Sequence, residues 1–484
     1  MASLGPARVC CCGRRPASRW PWGWLLPPRP PGALLPALAV LLSLLLLPRP
    51  SHSTALGEED GVAEAPPAPS LPPTVIRTRV INTKYGRLQG FVSHASGPHG
   101  AIPASTSPAT QDSEGGTRHR KPVDVFLGIP YATPPVRSNR FGPTRTPVPW
   151  DGLRPADRLS PVCPQHFPDE VLAVSRALEA SSPAASAAAE AEALRRMPRG
   201  RLESLKRLLP HLRRQSEDCL YLNVYAPAQV APPEALERYP VLVFVHGESF
   251  SWNSGNPYDG SILASYADLV VVTLNYRLGV LGFLNANAAP HLRARVANYG
   301  LMDQIAALHW IQNNIALFGG DPTNVTLFGH GTGAACVNLL MVSPTVMPGL
   351  FHRAALLSGS ALSSWAIVED PVFYAVRLAR RLNCSSPEEA APTATGAAPS
   401  GAAAAAEAWR EAERLEDCLR AAPLSALTAQ DAPPPPPAFL TAFGPSVDGV
   451  VVRPGFRADM AAALLASGGG GGGAGVDGDS GECR

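Results

Sequence analysis

The fold of this chain is decided by the stretch Asn324-Val325-Thr326-Leu327-Phe328-Gly329-His330-Gly331-Thr332-Gly333-Ala334-Ala335-Cys336-Val337-Asn338-Leu339-Leu340. The run 324–328 predicts a short buried strand, and 334–340 predicts the start of a helix. The glycines between them match a G-x-S-x-G nucleophile elbow, the sharp turn that exposes a reactive serine. Gly331 stands where that serine would be. Because glycine has no atom that can form an acyl-enzyme, covalent catalysis at this position is excluded. A chance glycine-rich turn is the alternative.

Six further blocks precede this turn. They are FLGIPYA (126–132), SEDCLYLN (216–223), VLVFVHG (241–247), NYRLG (275–279), NYGLMDQ (298–304) and FGGDP (318–322). Their order resembles that of type-B carboxylesterases and cholinesterases. Within that superfamily the chain is most similar to neuroligins, whose elbow also carries glycine for serine. The segment 197–209 resembles the arthropod members, and the resemblance extends from about residue 74 to 456.

Strand and helix patterns agree with an α/β-hydrolase fold, in which helices flank a central, mostly parallel sheet. The runs 241–245 and 269–273 are continuously apolar, as expected of strands covered on both faces. Leu301, Ile305 and Leu308 recur at helical spacing between the second run and the elbow. Residues 76–80 alternate apolar and polar before a turn cluster at 82–86, which predicts an N-terminal β-meander.

Composition divides the chain into segments. The 53 prolines and 43 glycines cluster, so the folded part is smaller than 484 residues suggest. We predict a partial carboxylesterase-like domain over 74–460, with low-complexity insertions near 93–120, 180–193 and 390–406 that form loops or frayed helices, and a glycine-rich tail over 461–484. Members of the resembled family continue further, so the resemblance implies a C-terminally incomplete domain. Their dimerising helices would lie beyond residue 484, which makes dimerisation of this chain doubtful.

The N-terminal residues have the pattern of a targeting segment. Arginines precede an apolar run over 33–47, and small residues follow near Ala55. This pattern predicts a signal peptide over 1–55, followed by a proline-rich leader over 56–73. A signal anchor is the alternative, although the run is short for a bilayer span. We expect a product of the secretory pathway, secreted as given or displayed at the plasma membrane in a full-length form.

Cysteine usage suits that oxidising route. The signal segment would remove three of the nine cysteines, and the sequence alone cannot pair the six that remain: Cys163, Cys219, Cys336, Cys384, Cys418 and Cys483. The neuroligin resemblance implies bridges Cys163–Cys219 and Cys384–Cys418. Cys336 is expected to be a small buried hydrophobe.

Two other features argue against esterase chemistry. His246-Gly247 is followed by Glu248, where esterases carry further glycines, and a carboxylate would oppose a developing oxyanion. A glutamate turned to solvent is the alternative. The family's catalytic histidine comes late in the fold, whereas the one histidine after Gly331 is His352.

A basic segment lies between the first two mature cysteines. Within 195–214 the single acidic residue is Glu203. The basic residues are Arg195, Arg196, Arg199, Arg201, Lys206, Arg207, Arg213 and Arg214. Leucines at helical intervals predict one or two short helices with an apolar side on the core. The segment predicts a salt-sensitive site for acidic glycans, with a solvated basic face as the alternative.

Two N-glycosylation sequons, at Asn324 and Asn383, fall in the mature chain. The first lies on the strand before the elbow and is expected to be too buried for use. The second adjoins a predicted bridge, and we predict glycosylation there.

The leading hypothesis is a catalytically inactive, cholinesterase-like adhesion protein that binds neurexin-like partners at synaptic cell contacts. An active type-B carboxylic-ester hydrolase and a truncated, non-functional fragment are the alternatives. The net charge of +2 does not indicate a nucleic-acid partner. We found no zinc spacing, phosphate loop or dinucleotide fingerprint, and we expect no metal or cofactor.

Overall fold

A computed structural model describes residues 76–93, 121–229, 237–287, 294–384, 402–429 and 440–468, all within one compact unit of the chain, 70–484. The predicted signal peptide and leader lie outside the described residues. So do 94–120 and 390–401, the larger parts of two predicted insertions, and 469–484 of the predicted tail. Among the helices that are described, none is both long enough and apolar enough to cross a membrane.

The described residues form ten strands and eleven helices. The strands are β1 (Ile81–Thr83), β2 (Gly86–Gln89), β3 (Phe91–Ser93), β4 (Val123–Pro130), β5 (Leu153–Pro155), β6 (Tyr221–Pro227), β7 (Tyr239–Val245), β8 (Val270–Leu274), β9 (Gly320–His330) and β10 (Arg353–Leu357). The helices are α1 (Asp169–Glu179), α2 (Pro183–Arg196), α3 (Arg199–Leu212), α4 (Ser261–Ala267), α5 (Gly279–Phe283), α6 (Tyr299–Asn314), α7 (Thr332–Val342), α8 (Pro371–Arg381), α9 (Ala402–Ala421), α10 (Leu424–Leu427) and α11 (Phe456–Gly468).

Seven strands form the central sheet, in the order β10-β9-β7-β8-β6-β4-β3. The neighbours from β8 through β7 and β9 to β10 are parallel, and those from β8 through β6 and β4 to β3 are antiparallel. Every residue of β8 is buried, as its continuous apolar run predicts. Helix α6 buries Leu301, Ile305 and Leu308 in the main core, as their spacing predicts. The parallel half of the sheet carries the strand that enters the elbow.

The N-terminal strands start later than the sequence predicts. Residues 76–80 make only an isolated bridge, and the first strand of the small sheet β1-β2-β5 begins at Ile81. The Thr83 hydroxyl accepts hydrogen bonds from the amides of Tyr85 and Gly86, which closes the turn between β1 and β2. The predicted turn cluster therefore contributes three strand residues, Asn82, Thr83 and Gly86, as well as the turn.

The chain between Cys163 and Cys219 forms a separate helical layer, which we call the helical insertion. Helices α1, α2 and α3 bury a small cluster of their own, which includes Val171, Val174 and Leu205. Of the two alternatives predicted for 180–193, a loop is wrong, because most of this stretch belongs to helix α2. Ser182 caps α2 by accepting from the Ala185 amide, with Pro183 in the first turn.

The boundary predicted for the glycine-rich tail is also wrong. Helix α11 continues through Gly468. The apolar and alanine-rich composition of 460–466 favours that continuation. The insertion predicted over 390–406 also extends too far, because helix α9 begins at Ala402.

Candidate functional site: a degenerate nucleophile elbow

The elbow predicted from the sequence is a strand, a one-residue turn and a helix. Strand β9 ends at His330 and α7 begins at Thr332, with Gly331 between them at φ 57 and ψ −119. The Gly331 amide donates to the carbonyl of Leu357 on β10 (2.9 Å), and its carbonyl accepts from Ala335 (3.2 Å). A Cβ built on Gly331 would have no atom within 4 Å. The position thus has an elbow's backbone and room for a side chain, but no nucleophile.

The other glycines of the motif are required by close packing. A Cβ on Gly329 would lie 2.5 Å from the carbonyl carbon of Gly333, and one on Gly333 would lie 2.2 Å from the oxygen of Val245. A Cβ on Gly247 would lie 2.2 Å from the oxygen of His330. Strands β7 and β9 and helix α7 therefore meet backbone against backbone, and this contact holds the turn in place.

The residues beside Gly331 do not supply a substitute nucleophile. His330 is exposed on the outer side of the turn. Thr332 is buried, and its hydroxyl has no hydrogen-bond partner among the described residues. A hydroxyl enclosed in this way is not presented to a substrate, and it has no base to remove its proton.

His246 is a structural residue beneath the elbow. It is fully buried, and its ring stacks on Tyr276 with 4.4 Å between centroids. Its Nδ1 lies 3.3 Å from the carbonyl of Gly247, and its own carbonyl accepts from the Tyr276 hydroxyl. Burial lowers the pKa of His246 to about 3, so the ring is neutral at physiological pH.

The altered oxyanion region has an unusual backbone. Glu248, Ser249 and Phe250 have φ of 99, 55 and 56, and Asn253 has φ 98. Glu248 is half-buried. Burial raises the pKa of Tyr258, and the negative charge of Glu248 adds to that rise. The carboxylate therefore acts electrostatically on nearby protein groups, in the region where an esterase would present positive dipoles.

The five cysteines that the structure describes occupy three environments. Cys163 is bonded to Cys219 and Cys384 to Cys418, the pairs that the resemblance implies. Cys336 is a free, buried thiol on α7. Burial raises its pKa to about 12, which leaves it protonated and inert.

The basic segment is more neutralised than its sequence indicates. The apolar side of α3 is buried as predicted, through Leu202, Leu205, Leu209 and Leu212. Three glutamates from α1 and α2, which lie outside 195–214, and Glu203 of α3 pair with cations of the segment. The pairs are Arg195 with Glu192, Arg196 with Glu170 and Glu192, Lys206 with Glu203, and Arg213 with Glu179.

Four of the eight cations of the segment stay outside these pairs, and one of them, Arg214, donates a hydrogen bond to the carbonyl of Leu159. Arg199, Arg201 and Arg207 are exposed and form no ion pair among the described residues. They are the cations of this segment that are free to meet an external anion.

The two sequons differ in exposure. Asn324 is half-buried on β9, and its Oδ1 accepts from Arg353 (2.6 Å). Asn383 is exposed beside the Cys384–Cys418 bridge, with φ 56. Glycosylation at Asn383 stays a prediction.

Comparison with known proteins places this site in a family. Residues 111–467 match the carboxylesterase family. The chain therefore belongs to the carboxylesterase family, and the predicted α/β-hydrolase fold is confirmed.

Relatives within that family include neuroligins, as the sequence predicts. The chain is 37% identical to human neuroligin-2 over 392 residues, which cover 78% of the chain and 38% of that protein. It is 37% identical to mouse neuroligin-3 over 350 residues, 68% of the chain and 36% of that protein. It is 41% identical to Caenorhabditis elegans neuroligin-1 over 268 residues, 54% of the chain and 31% of that protein. The chain thus spans well under half the length of these relatives.

Two residues that contact the altered oxyanion region were not predicted from the sequence. Gln165 and Trp252 join the loop after Gly247 to the helical insertion. They lie 87 positions apart in the sequence and belong to no motif.

Proposed function

We propose that this chain uses an esterase scaffold as a non-catalytic surface for cell adhesion, with a neurexin-like cell-surface protein as its partner. Gly331 carries the first half of the proposal, because it combines an elbow backbone with no nucleophilic atom. The second half rests on the similarity to neuroligins, which are cholinesterase-like adhesion proteins. Two disulfides suit the secretory pathway and an extracellular location.

The absence of catalysis is tested directly by hydrolysis. The purified chain and its Gly331→Ser variant are assayed with short-chain acyl esters and choline esters, against a preparation from cells carrying an empty vector. Neither protein should exceed that background. A restored serine still needs a base to take its proton, and the nearby His246 ring is enclosed and stacked on Tyr276. Turnover that scales with the amount of unmutated chain would contradict the proposal.

The adhesion half is tested by binding to a neurexin ectodomain in the presence of calcium. We expect a longer, neuroligin-length form to bind and the 484-residue chain to bind weakly. The stretch 461–473 offers no charged or aromatic side chain, and interfaces draw most of their energy from Trp, Tyr and Arg anchors. Failure of the longer form to bind would remove the proposed partner. Salt-resistant, sub-micromolar binding by the given chain would show that the anchor argument is wrong.

A second surface supports binding of acidic glycans. Arg199, Arg201 and Arg207 project from the exposed part of the helical insertion. We expect a column of sulfated oligosaccharide to retain the protein at low salt and to release the triple alanine variant earlier, because screened charge–charge attraction supplies the affinity.

The matched control for that experiment is the pair Arg195→Ala and Arg196→Ala. Both arginines belong to the same segment but already have glutamate partners. Their loss should shift elution less than loss of the three unpaired arginines. Equal shifts in the two variants would indicate a diffuse charge effect and no defined site.

A further inference from the structure

The loop that follows Gly247 is held in a costly conformation. Glu248, Ser249 and Phe250 are three consecutive residues with positive φ, and Asn253 is a fourth within six positions. None is glycine, so each has a Cβ that the left-handed region disfavours. A backbone of this kind persists only where surrounding contacts over-determine it. The contacts around loop 248–253 therefore have to be identified.

The hydrolase body holds the first half of the loop. Phe250 is buried, its ring lies 5.7 Å from that of Phe283, and its carbonyl accepts from the Gly279 amide (2.8 Å). Within the loop, the amides of Ser251 and Trp252 both donate to the carbonyl of Glu248. These contacts fix Phe250. At the other end of the loop, the Tyr258 hydroxyl accepts from the side-chain amide of Asn253 (2.9 Å) but does not bind the backbone of Asn253.

The helical insertion holds the second half. Trp252 is buried in the cluster of α1, α2 and α3, where its ring meets Phe167 edge-on with 5.4 Å between centroids. The side-chain amide of Gln165 brackets Asn253. Its Oε1 accepts from the Asn253 amide (2.7 Å), and its Nε2 donates to the Asn253 carbonyl (3.1 Å).

Gln165 is itself fixed at the base of the insertion. Its backbone amide donates to Oε1 of Gln215, and its Nε2 also donates to the carbonyl of Cys163. The Cys163–Cys219 bridge and the Val162–Gln215 pairing join the two ends of the insertion at this point. The contact with Asn253 therefore starts from a part of the insertion that is anchored at both ends.

We propose that the helical insertion acts as a clamp that keeps loop 248–253 in its positive-φ conformation through Gln165 and Trp252. The loop begins at Glu248 of the altered oxyanion region, so the surface above the elbow is shaped by an element outside the hydrolase core. Loosening the base of the insertion frees the loop without opening the central sheet. The clamp is independent of what the protein binds.

Backbone amide hydrogen exchange on the whole chain tests the clamp. Gln165→Ala removes both hydrogen bonds to Asn253, so the amides of Ser251, Trp252 and Asn253 should exchange about tenfold faster or more. Amides of β7 and β9 should exchange as before. Unchanged exchange in the loop, or equal acceleration throughout the sheet, would overturn the proposal.

The chain offers a closely matched control. Gln229 brackets Glu237 with the same geometry, because its Oε1 accepts from the Glu237 amide (2.7 Å) and its Nε2 donates to the Glu237 carbonyl (3.1 Å). Gln229→Ala should accelerate exchange at Glu237 and leave loop 248–253 unchanged. Acceleration of the loop in this control would show that the response is not specific to the insertion.

A glycine variant tests whether backbone strain is what the clamp opposes. Ser249 is exposed at φ 55, a conformation that glycine adopts without a Cβ penalty. Adding Ser249→Gly to Gln165→Ala should slow loop exchange again. If exchange stays as fast as in Gln165→Ala alone, strain is not the quantity that the insertion restrains, and the proposal is wrong.

Discussion

At position 331 the backbone conformation decides which amino acids are tolerated. Gly331 has φ 57 and ψ −119, yet a Cβ there would touch nothing. We expect Gly331→Ala to lower the free energy of unfolding by about 1–2 kcal/mol, from the conformational penalty alone. Urea denaturation of the purified variant measures this change.

Gly200 is the control for that prediction. It also has open space around it, but it lies in the first turn of α3 without a positive φ. Gly200→Ala should raise the free energy of unfolding by about 0.5–1 kcal/mol, because alanine loses less backbone entropy on folding. A stabilising effect of alanine at both positions would show that the turn is not strained.

Cys336 should be chemically silent in the folded protein. It is fully buried, and burial raises its pKa to about 12, so very little thiolate is present at pH 8. Iodoacetamide should leave it unmodified in the native chain and modify it in denaturant, as read by peptide mass spectrometry. Rapid alkylation of the native chain would mean that α7 opens or is packed differently.

At the scale of single elements, α3 derives its stability from one side. Leu205 is buried in the insertion cluster, while the neighbouring Ser204 is exposed. Leu205→Ala should cost about 2–5 kcal/mol, the range for removing a buried leucine side chain. Ser204→Ala should change the free energy of unfolding by less than about 0.5 kcal/mol. Similar losses for both variants in urea denaturation would contradict the observed facing of the helix.

The elements that the sequence predicts well are those with a strong, local pattern. The elbow follows from glycine spacing, β8 from a continuous apolar run, and α6 from apolar residues at helical intervals. Each signal lies within a few residues of the element that it specifies.

The sequence predicts poorly where packing partners are distant. Helix α2 is rich in alanine and buries only Ala193 among its residues, so its periodicity is weak, although Ser182 and Pro183 mark its start. Three of the four glutamates that pair with cations of the basic segment come from α1 and α2. The bracket of Gln165 on Asn253 depends on backbone groups, which leave no trace in residue type.

At the scale of the whole molecule, one buried carboxylate should make stability depend on pH. Glu416 joins α9 to the chain before α6 through Arg295, with 2.7 Å between their charged atoms. Burial raises the pKa of Glu416 to about 7, although Arg295 opposes the rise. An unfolded glutamate titrates near 4.3, so the folded chain binds more protons between about pH 4.3 and 7. The contribution of Glu416 to the free energy of unfolding is present below that pH window and is lost as pH rises through it.

The measurement is the free energy of unfolding between pH 4.5 and 8 for the unmutated chain and Glu416→Gln. The difference between the two should change across the window, because the glutamine variant lacks this titration. Burial also raises the pKa of Asp124 to about 6 and lowers that of His246 to about 3, and these groups act in opposite directions. Asp124 and His246 are present in both proteins, so their contributions cancel when the two free energies are subtracted. Glu413→Gln, on the exposed side of α9, is the control. If the difference in free energy of unfolding between the unmutated chain and Glu416→Gln does not change with pH, the prediction is wrong.

The packing of the motif glycines bears on how such a protein could evolve. Substitution of Gly329, Gly333 or Gly247 would force backbone atoms together in this chain, whether or not position 331 carries a nucleophile. A side chain at position 331 meets no neighbour, so a change there leaves the fold's contacts intact. Selection for a folded product therefore acts on these three glycines independently of any selection for chemistry at position 331. The three packed glycines therefore fix the turn but do not fix which side chain stands at position 331.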